Sequence, residues 1–554
     1  MNRTPILIAA AIAMFFVSCK NSSTGLPVPK DAAVVVHINA SSLSSKLSWK
    51  EIQATEWFKE AYKDADDSLQ KKLLDDPKNS GIDINSSFDF FVKKQGHGGI
   101  VVFEGNLKDA VAFEAMVKKM NHNHEVAKND DFAYLKDNGT DLISWTNSKF
   151  IFMSDAPFGK TSMNSFDNNE ANRFHQDSLL VFTKDLLHLS SGNSIESDKR
   201  FTSLIKENGD VHFWVNMEQY MSAVQEMMDN KMFMMSQGLS GLFEGSVSTG
   251  TLNFDDGKIS VTSKRYLSDK MKTVMDKYQF KNVTSDEVNR IPSSDVDLAL
   301  VANYPPEASK ELFKTLGYDG FINGFLGRYN TNLDELVQAM KGNIVLSVSD
   351  FSMSATETTI PGTNQTIRVP EPKVKFLLGL SVNNKATFDK LIGIAQQQIK
   401  DPEVFTKINF KTTNDWFALS NNSETVDQFL AGGNNKLLFT DKITGHPFGM
   451  YIDLQKLIKA VRSNTFMFGV DVDTTATSMW QDVVATGGDY KDGVVTSQVA
   501  VNLVDKNTNS LKQLNHLMET MYESQKKRRE AWKTYNDSTA TTLPQEPDTT
   551  AKPQ

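Results

Sequence analysis

The chain has 554 residues, of which 40% are hydrophobic and 23% charged, so it can fill the cores of about three or four ordinary domains. Its formal net charge is −9 and its pI is about 5.6, which argues against a nucleic-acid-binding protein with a broad basic face. A single cysteine excludes a disulfide framework and a CxxC zinc site.

The first residues have the features of a targeting segment. Arg3 supplies a positive charge, and Ile6 to Val17 is an apolar stretch too short to span a bilayer. The sequence Phe16-Val17-Ser18-Cys19 then resembles a bacterial lipobox. The only cysteine of the chain stands where a lipobox requires it. We therefore expect residues 1–18 to be a signal peptide and Cys19 to be acylated, which would attach the mature chain to a membrane.

Residues 19–28 are short and polar, which predicts a tether between the lipid and the folded body. Lys20 rather than Asp follows Cys19, and by resemblance to lipoprotein sorting rules this favours the outer membrane. Surface-exported lipoproteins of some bacteria carry acidic residues just after this cysteine, and none follows here, so by the same resemblance we favour the periplasmic face over the cell surface.

The body of the chain contains two copies of one pattern. In each copy an aliphatic strand precedes a helix whose apolar positions follow i, i+3, i+4, i+7 spacing, and the helices keep an offset of 275 residues. The helix positions are Phe113, Met116, Val117 and Met120 in copy one, and Phe388, Leu391, Ile392 and Ala395 in copy two. Each copy then closes with a hairpin, whose turn is Asp255-Asp256-Gly257 or Lys491-Asp492-Gly493.

This pattern predicts an α+β fold of two tandem related units, each an antiparallel sheet with packed helices. We place the units at residues 29–285 and 286–522. The stretch from Ser352 to Pro372 is an insertion, a loop or a β-ribbon, in the second unit. Residues 523–554 carry Lys526-Lys527-Arg528-Arg529 and then a Thr- and Pro-rich stretch, which predicts a disordered tail.

The start of the mature chain resembles a known family. The segment from Leu26 to Ala32, the strand ending at Ile38-Asn39 and the segment from Leu43 to Trp49 are similar to a family of uncharacterised Bacteroidetes lipoproteins. The resemblance implies an envelope lipoprotein. It assigns no activity, cofactor or site residue.

Motifs of catalysis and metal binding are absent from the sequence. The chain has no GxSxG, HExxH, P-loop or GxGxxG pattern, so we predict no catalytic residue, metal or cofactor and expect no enzyme. His122 and His124 form the only histidine cluster, which we interpret as a solvated loop. His37 and His212 stand inside apolar strands, which predicts partly buried structural residues.

Two kinds of candidate site remain. In the tail, Ser538 and Thr549 lie in short Asp-Ser/Thr motifs that resemble O-glycosylation sites of Bacteroidetes. In the body, two apolar segments stand at matching places, between a helix and the closing hairpin of each copy. They are Met232, Phe233, Met234 and Met235 in copy one, and Phe466, Met467 and Phe468 in copy two.

The apolar segments have two interpretations. Each can continue the preceding helix and fill its own core. Alternatively, each is an exposed tip or groove that contacts a lipid, a hydrophobic ligand or another envelope protein, since methionine is common on surfaces that bind varied apolar partners.

The sequence therefore predicts a non-enzymatic cell-envelope lipoprotein that binds a partner protein or an apolar ligand. An outer-membrane structural or assembly factor is an alternative. A less favoured alternative is an envelope hydrolase with a site between the two units.

Overall fold

A computed structural model describes residues 25–63, 65, 68–95, 98–120, 125–136, 139–156, 174–227, 241–359, 366–398, 407–433, 435–462 and 478–540. The predicted signal peptide (residues 1–18), Cys19, Thr549, His122 and His124 lie outside the described residues, as do both predicted apolar segments. Within the described ranges, no helix is both long and apolar enough to cross a membrane.

One antiparallel sheet contains every strand named here. Its strands before residue 280 are β1 (Val34–Ile38), β2 (Phe88–Gln95), β3 (Gly98–Asn106), β4 (Val126–Lys128), β5 (Ala133–Leu135), β6 (Asp141–Trp145), β7 (Lys149–Asp155), β8 (Val211–Asn216), β9 (Val247–Asp255) and β10 (Lys258–Tyr266). The later strands are β11 (Val296–Asn303), β12 (Met340–Thr359), β13 (Thr366–Val382), β14 (Asn409–Thr412), β15 (Trp416–Ser420), β16 (Phe448–Ile452), β17 (Trp480–Lys491) and β18 (Val494–Leu503).

The pairings give a linear strand order. From one edge to the other it is β4-β5-β6-β7-β3-β2-β1-β8-β9-β10-β18-β17-β16-β11-β12-β13-β15-β14. We call β1–β10 the first half and β11–β18 the second half. The pairing of β10 with β18 joins the halves into one continuous sheet.

The predicted hairpins are present, and their turns have the expected backbone. Gly257 lies between β9 and β10 with φ +62°, while Asp492 and Gly493 lie between β17 and β18 with φ +50° and +79°. Glycine adopts this left-handed region without steric strain, and aspartate tolerates it better than most residues. The turn residues therefore set the register of both hairpins.

Helices connect the strands. The helices of the first half are α1 (Ala40–Lys46), α2 (Trp49–Gln53), α3 (Glu56–Lys63), α4 (Ser68–Asp75), α5 (Ala110–Met120), α6 (Gln176–Leu187), α7 (Lys199–Ile205), α8 (Met217–Met227) and α9 (Asp269–Lys277). Those of the second half are α10 (Ser285–Val288), α11 (Pro306–Thr315), α12 (Asp319–Gly327), α13 (Leu333–Ala339), α14 (Lys385–Gln398), α15 (Ser423–Leu430), α16 (Thr440–Ile443), α17 (Leu454–Arg462) and α18 (Ser510–Ala540). The mixed α+β class with a large antiparallel sheet is thus confirmed.

One face of the sheet is buried under helices, and we call it the helix-covered face. In the first half α6 and α7 cover it: Leu179 packs in one cluster with Val102 and Met153, and the Phe201 ring meets the Trp214 ring edge-on at 5.7 Å. In the second half α15 and α16 take this position. The two largest apolar cores therefore lie on the same face.

Helices α5 and α14 pack against the opposite face, near its ends. Phe113 stacks on Phe150 at 5.5 Å, and Phe388 lies 5.3 Å from Phe417. Both helix phenylalanines are 3% exposed, as their i, i+3, i+4 spacing indicated.

The structure decides one open prediction and corrects another. The insertion from Ser352 onward is a ribbon, because β12 and β13 continue past the sheet as a paired hairpin. Residues 523–540, where we expected a disordered tail, belong to α18. Glu519 of α18 accepts hydrogen bonds from the backbone N–H of Glu56 and Trp57 at the start of α3, which fixes this helix to the body.

Candidate functional site

Four ionisable side chains lie next to one another on the helix-covered face. His212, His37, Asp89 and Glu104 are direct cross-strand neighbours on β8, β1, β2 and β3, and we call them the polar row. Their exposures are 2%, 5%, 0% and 0%. Both histidines are therefore buried within strands, as the sequence indicated. The two carboxyl groups beside them were not anticipated.

Hydrogen bonding satisfies only part of the polar row. His37 Nδ1 lies 2.7 Å from Asp89 Oδ1, and His212 Nε2 lies 3.0 Å from the Glu207 carbonyl oxygen. Asp89 Oδ2, both carboxyl oxygens of Glu104 and His212 Nδ1 have no hydrogen-bond partner among the described residues. Buried polar atoms are normally paired, so this row opposes folding rather than stabilising the sheet.

Burial also changes the ionisation of the row. It raises the pKa of the Glu104 carboxyl well above its usual range, and the Asp89 charge raises it further against the opposing effect of Lys149. Burial lowers the pKa of His212, although its contact with the Glu207 carbonyl oxygen acts in the opposite direction. Glu104 and His212 are therefore both shifted toward their uncharged forms.

A buried carboxyl group with a raised pKa, such as that of Glu104, is a feature of acid–base catalysis, so within the described chain the polar row most resembles a hydrolytic site. Its surroundings do not support that role. Two cavities in the described part of the chain, of about 750 and 240 Å³, are lined by other residues. Within the described ranges, no group of three or more His, Cys, Asp or Glu side chains is arranged to hold a metal.

In the second half, apolar residues and glycines form the corresponding stretch of paired strands. Gly449, Val301, Val345 and Gly379 are direct neighbours on β16, β11, β12 and β13. A Cβ atom on Gly379 would lie 2.2 Å from the Phe429 ring, so the ring occupies the space above that glycine. The second half therefore fills the positions that correspond to the polar row without any ionisable side chain.

The opposite face of the sheet carries an unbroken line of apolar residues and one glycine, which we call the apolar row. It crosses all the strands of the sheet except β4, and each member is the direct register partner of the next. In strand order it consists of Ala133, Trp145, Phe150, Gly105, Phe88, Ile38, Val211, Leu252, Val261, Val499, Ala485, Met450, Leu300, Leu346, Leu378, Leu419 and Phe410.

The middle of the apolar row remains partly open to solvent. Successive side chains of a strand point to opposite faces, and their burial follows that alternation: His37 is 5% exposed while its neighbour Ile38 is half-buried. Val499 and Leu346 are exposed by 39% and 37%. From Ile38 to Leu378 the row extends roughly 40 Å along the sheet, given a strand spacing of about 4.8 Å.

Most of the predicted site residues cannot be compared with these features. The segments Met232–Met235 and Phe466–Phe468 lie outside the described residues, as do Cys19 and Thr549. The described chain reaches the two apolar segments from α8 and α17. The backbone of Ser538 lies in α18.

Sequence reasoning identified neither row. The polar row had a weak local signal, a single acidic residue inside each of the apolar strands that contain Asp89 and Glu104. The apolar row had none, because it depends on which distant strands become neighbours.

Comparison with known proteins identifies a family of unknown function. Residues 27–443 match the model of a family described as a domain of unknown function, DUF4836. No match was found among curated proteins. Crystal form I of TP0453 matches with a TM-score of 0.24 and 10% identity, over 45% of this chain and 81% of that chain. Crystal form III of TP0453 gives 0.25 and 10%, over 48% and 90%. Likenesses of this size carry no argument about function.

Proposed function

We propose that this chain, which belongs to the DUF4836 family of unknown function, is a non-enzymatic, lipid-anchored envelope protein that holds an apolar ligand against its sheet. The observation that carries this proposal is the apolar row. A protein partner that covers the same row is the other form of the proposal.

The physical argument starts from exposure. Single exposed apolar residues are ordinary, but a contiguous apolar line about 40 Å long is the kind of surface that binds a partner or a hydrophobic chain. At about 25 cal/mol per Å² of apolar surface removed from water, a ligand that covers even a few of these side chains gains several kcal/mol. Between Ile38 and Leu378 the row has neither a charged nor a hydrogen-bonding side chain, which suits an acyl chain better than a polar substrate.

The predicted apolar segments are consistent with this arrangement. Both follow helices, α8 and α17, that begin directly after β8 and β16, two of the strands that carry the apolar row. We propose that Met232–Met235 and Phe466–Phe468 contribute to the same binding surface.

The lipid anchor would bring this surface to its ligand. The lipobox resemblance ending at Cys19 supports acylation, and the residues after it support the periplasmic face of the outer membrane. In that place the protein would handle acyl chains or the apolar parts of other envelope proteins, or would serve as an assembly factor.

We also propose that the two halves are copies of one unit. The strand order supports this: counted inward from β6, the first half runs β6-β7-β3-β2-β1-β8-β9-β10, and counted inward from β14, the second runs β14-β15-β13-β12-β11-β16-β17-β18. When β4 and β5 are set aside and the strands of each half are numbered from 1 to 8 along the chain, both halves have the same spatial order, 4-5-3-2-1-6-7-8. Phe113 and Phe388 occupy the fourth position of the helix that follows the third strand of each order.

Binding is best tested with a fluorescent fatty acid and two substitutions in the open part of the apolar row. Leu346→Glu and Val499→Glu place charges at side chains that are already more than a third exposed, so the melting temperature should change little. The matched control is Val111→Glu on α5, a side chain that is 80% exposed and lies outside the row.

We expect the two row variants to lose fatty-acid binding and the control to retain it. If the wild-type chain does not bind the probe, envelope proteins retained by the wild-type chain but not by the two row variants would support the protein-partner form. Equal binding by all four chains would overturn the role of the row.

Anchoring is tested separately with Cys19→Ala in the full-length chain. The wild-type chain should incorporate labelled palmitate and enter the detergent phase, and the variant should do neither. Unchanged labelling of the variant would overturn the assignment of Cys19.

A further inference from the structure

A two-stranded ribbon extends from the second half beyond the rest of the sheet, and we call it the ribbon arm. It consists of residues 352–359 of β12 paired with residues 366–373 of β13. The neighbouring strand β11 stops pairing with β12 at Ser349, and β15 stops pairing with β13 at Leu377. The arm is therefore two strands wide, with a length of about 27 Å from the rise per residue.

The outer edge of β13 is closed to further pairing by two prolines. On this strand, even-numbered residues direct their backbone groups toward the β15 side: Phe376 N–H donates to Asn421 Oδ1, and Val374 C=O accepts from Asn421 Nδ2. Pro370 and Pro372 share that parity along the continuous strand. Proline has no N–H, so these two positions offer no donors to an added strand.

The outer edge of β12 is different. Met353 and Ala355 are the register partners of Pro372 and Pro370, so their backbone N–H and C=O groups point away from β13 as well. Residues 351–359 contain no proline and no lysine, and they include Phe351 and three threonines, residue types that are common in strands. Lysine and proline are the usual protections of an edge, and only one edge of the arm has either.

We propose that the open β12 edge pairs with the β12 edge of a second copy of this chain, as an antiparallel four-stranded ribbon with a two-fold axis at Ala355. An isolated two-stranded ribbon is marginally stable in water, and pairing would give it two more strands. This register places Glu357 of one copy opposite Met353 of the other, so no like charges face each other.

The prolines also explain why the assembly ends at two copies. In the paired ribbon, the two outer edges are those of β13, where Pro370 and Pro372 prevent a third copy from adding. An isologous contact with closed edges gives a dimer, whereas an arm open on both edges would give a filament. This inference is independent of the apolar row.

Analytical ultracentrifugation of the mature chain with Cys19→Ala, in the absence of lipid, tests the proposal. Ala355→Pro removes an outward N–H from the open edge without removing a hydrogen bond within the arm. Arg368→Pro is the matched control, because Arg368 has the same parity as Pro370 and Pro372 and its N–H also points outward, but from the closed edge. Both variants should keep the wild-type melting temperature.

We expect a concentration-dependent dimer whose Kd rises at least tenfold in Ala355→Pro and stays within twofold in Arg368→Pro. Hydrogen exchange should show protection of the Met353 and Ala355 amides that increases with protein concentration. A chain that remains monomeric at 100 µM, an equal loss of dimer in both variants, or species larger than a dimer would each overturn the proposal.

Discussion

Replacement of Glu104 by leucine should make the first half of the sheet more stable at neutral pH. The side chain is fully buried, and both its carboxyl oxygens lack hydrogen-bond partners among the described residues. Leucine has a similar volume, so the substitution removes two desolvated oxygens and leaves little cavity. An unsatisfied buried polar group costs about 1–3 kcal/mol, and we expect a gain of that size in the free energy of unfolding. For a large domain this corresponds to a rise of about 2–4 °C in melting temperature per kcal/mol.

A second expectation concerns the direction in which stability changes with pH. Burial raises the folded-state pKa of Glu104 above its ordinary value of 4.5, so the native state holds this proton more tightly than the unfolded state does. The destabilising effect of Glu104 is therefore smallest below pH 4.5, where the carboxyl group is protonated in both states, and it grows as the pH rises toward the folded-state pKa. Glu104→Gln cannot titrate and should remove this part of the pH dependence while it retains polar atoms in the core.

Urea unfolding of wild type, Glu104→Leu and Glu104→Gln between pH 5 and pH 8.5 measures both effects. The advantage of the leucine variant over wild type should grow with pH. If leucine instead lowers the free energy of unfolding by more than about 1 kcal/mol at pH 7, the carboxyl group has a stabilising partner, such as a bound cation or water, and our reasoning about the polar row is wrong.

Three further substitutions test other parts of the fold. Lys46→Met breaks the 2.6 Å ion pair with the buried Asp210, whose other hydrogen bonds remain. It should lower the free energy of unfolding, measured in urea titrations, by about 2 kcal/mol. An unchanged free energy would mean that solvent replaces the lysine. Gly433→Ala should destabilise the second half by about 2 kcal/mol or more, because φ is +67° and a Cβ would lie 2.2 Å from the Asn289 carbonyl oxygen; an unchanged melting temperature would refute the close contact. Glu519→Ala should free the start of α3, so the amides of residues 56–57 should exchange faster and the free energy of unfolding should fall by about 1 kcal/mol. Unchanged exchange would show that the cap is dispensable.

Local features of this fold could be predicted from the sequence. The Asp-Gly turns at residues 256–257 and 492–493 fix both closing hairpins, and the apolar spacing of α5 and α14 correctly buries Phe113 and Phe388. These features depend on residues a few positions apart, so backbone preference and helical periodicity are sufficient to find them.

Features that depend on distant contacts could not be predicted. The composition of residues 523–540 suggests disorder, but Glu519 binds the start of α3, and the helix continues from this docked part of the chain. The polar row is formed by the pairing of β1, β2, β3 and β8, and nothing within each strand specifies that pairing. The same holds for the apolar row, which exists only once the strands of both halves lie side by side.

The pairing of β10 with β18 has a consequence for how the chain is made. Its nine rungs join Lys258–Tyr266 to residues more than 220 positions later, so loop closure for this contact is slow. While the chain is delivered from its N-terminus, β1–β10 can pair early, and the β10 edge then stays bare until the last hairpin emerges. This nascent intermediate presents a long unpaired strand with Ile259 and Val261 on one side, and such an edge associates readily with other chains. A chain truncated before residue 494 would retain that edge permanently, so its solubility should depend on chaperones far more than that of the 554-residue chain.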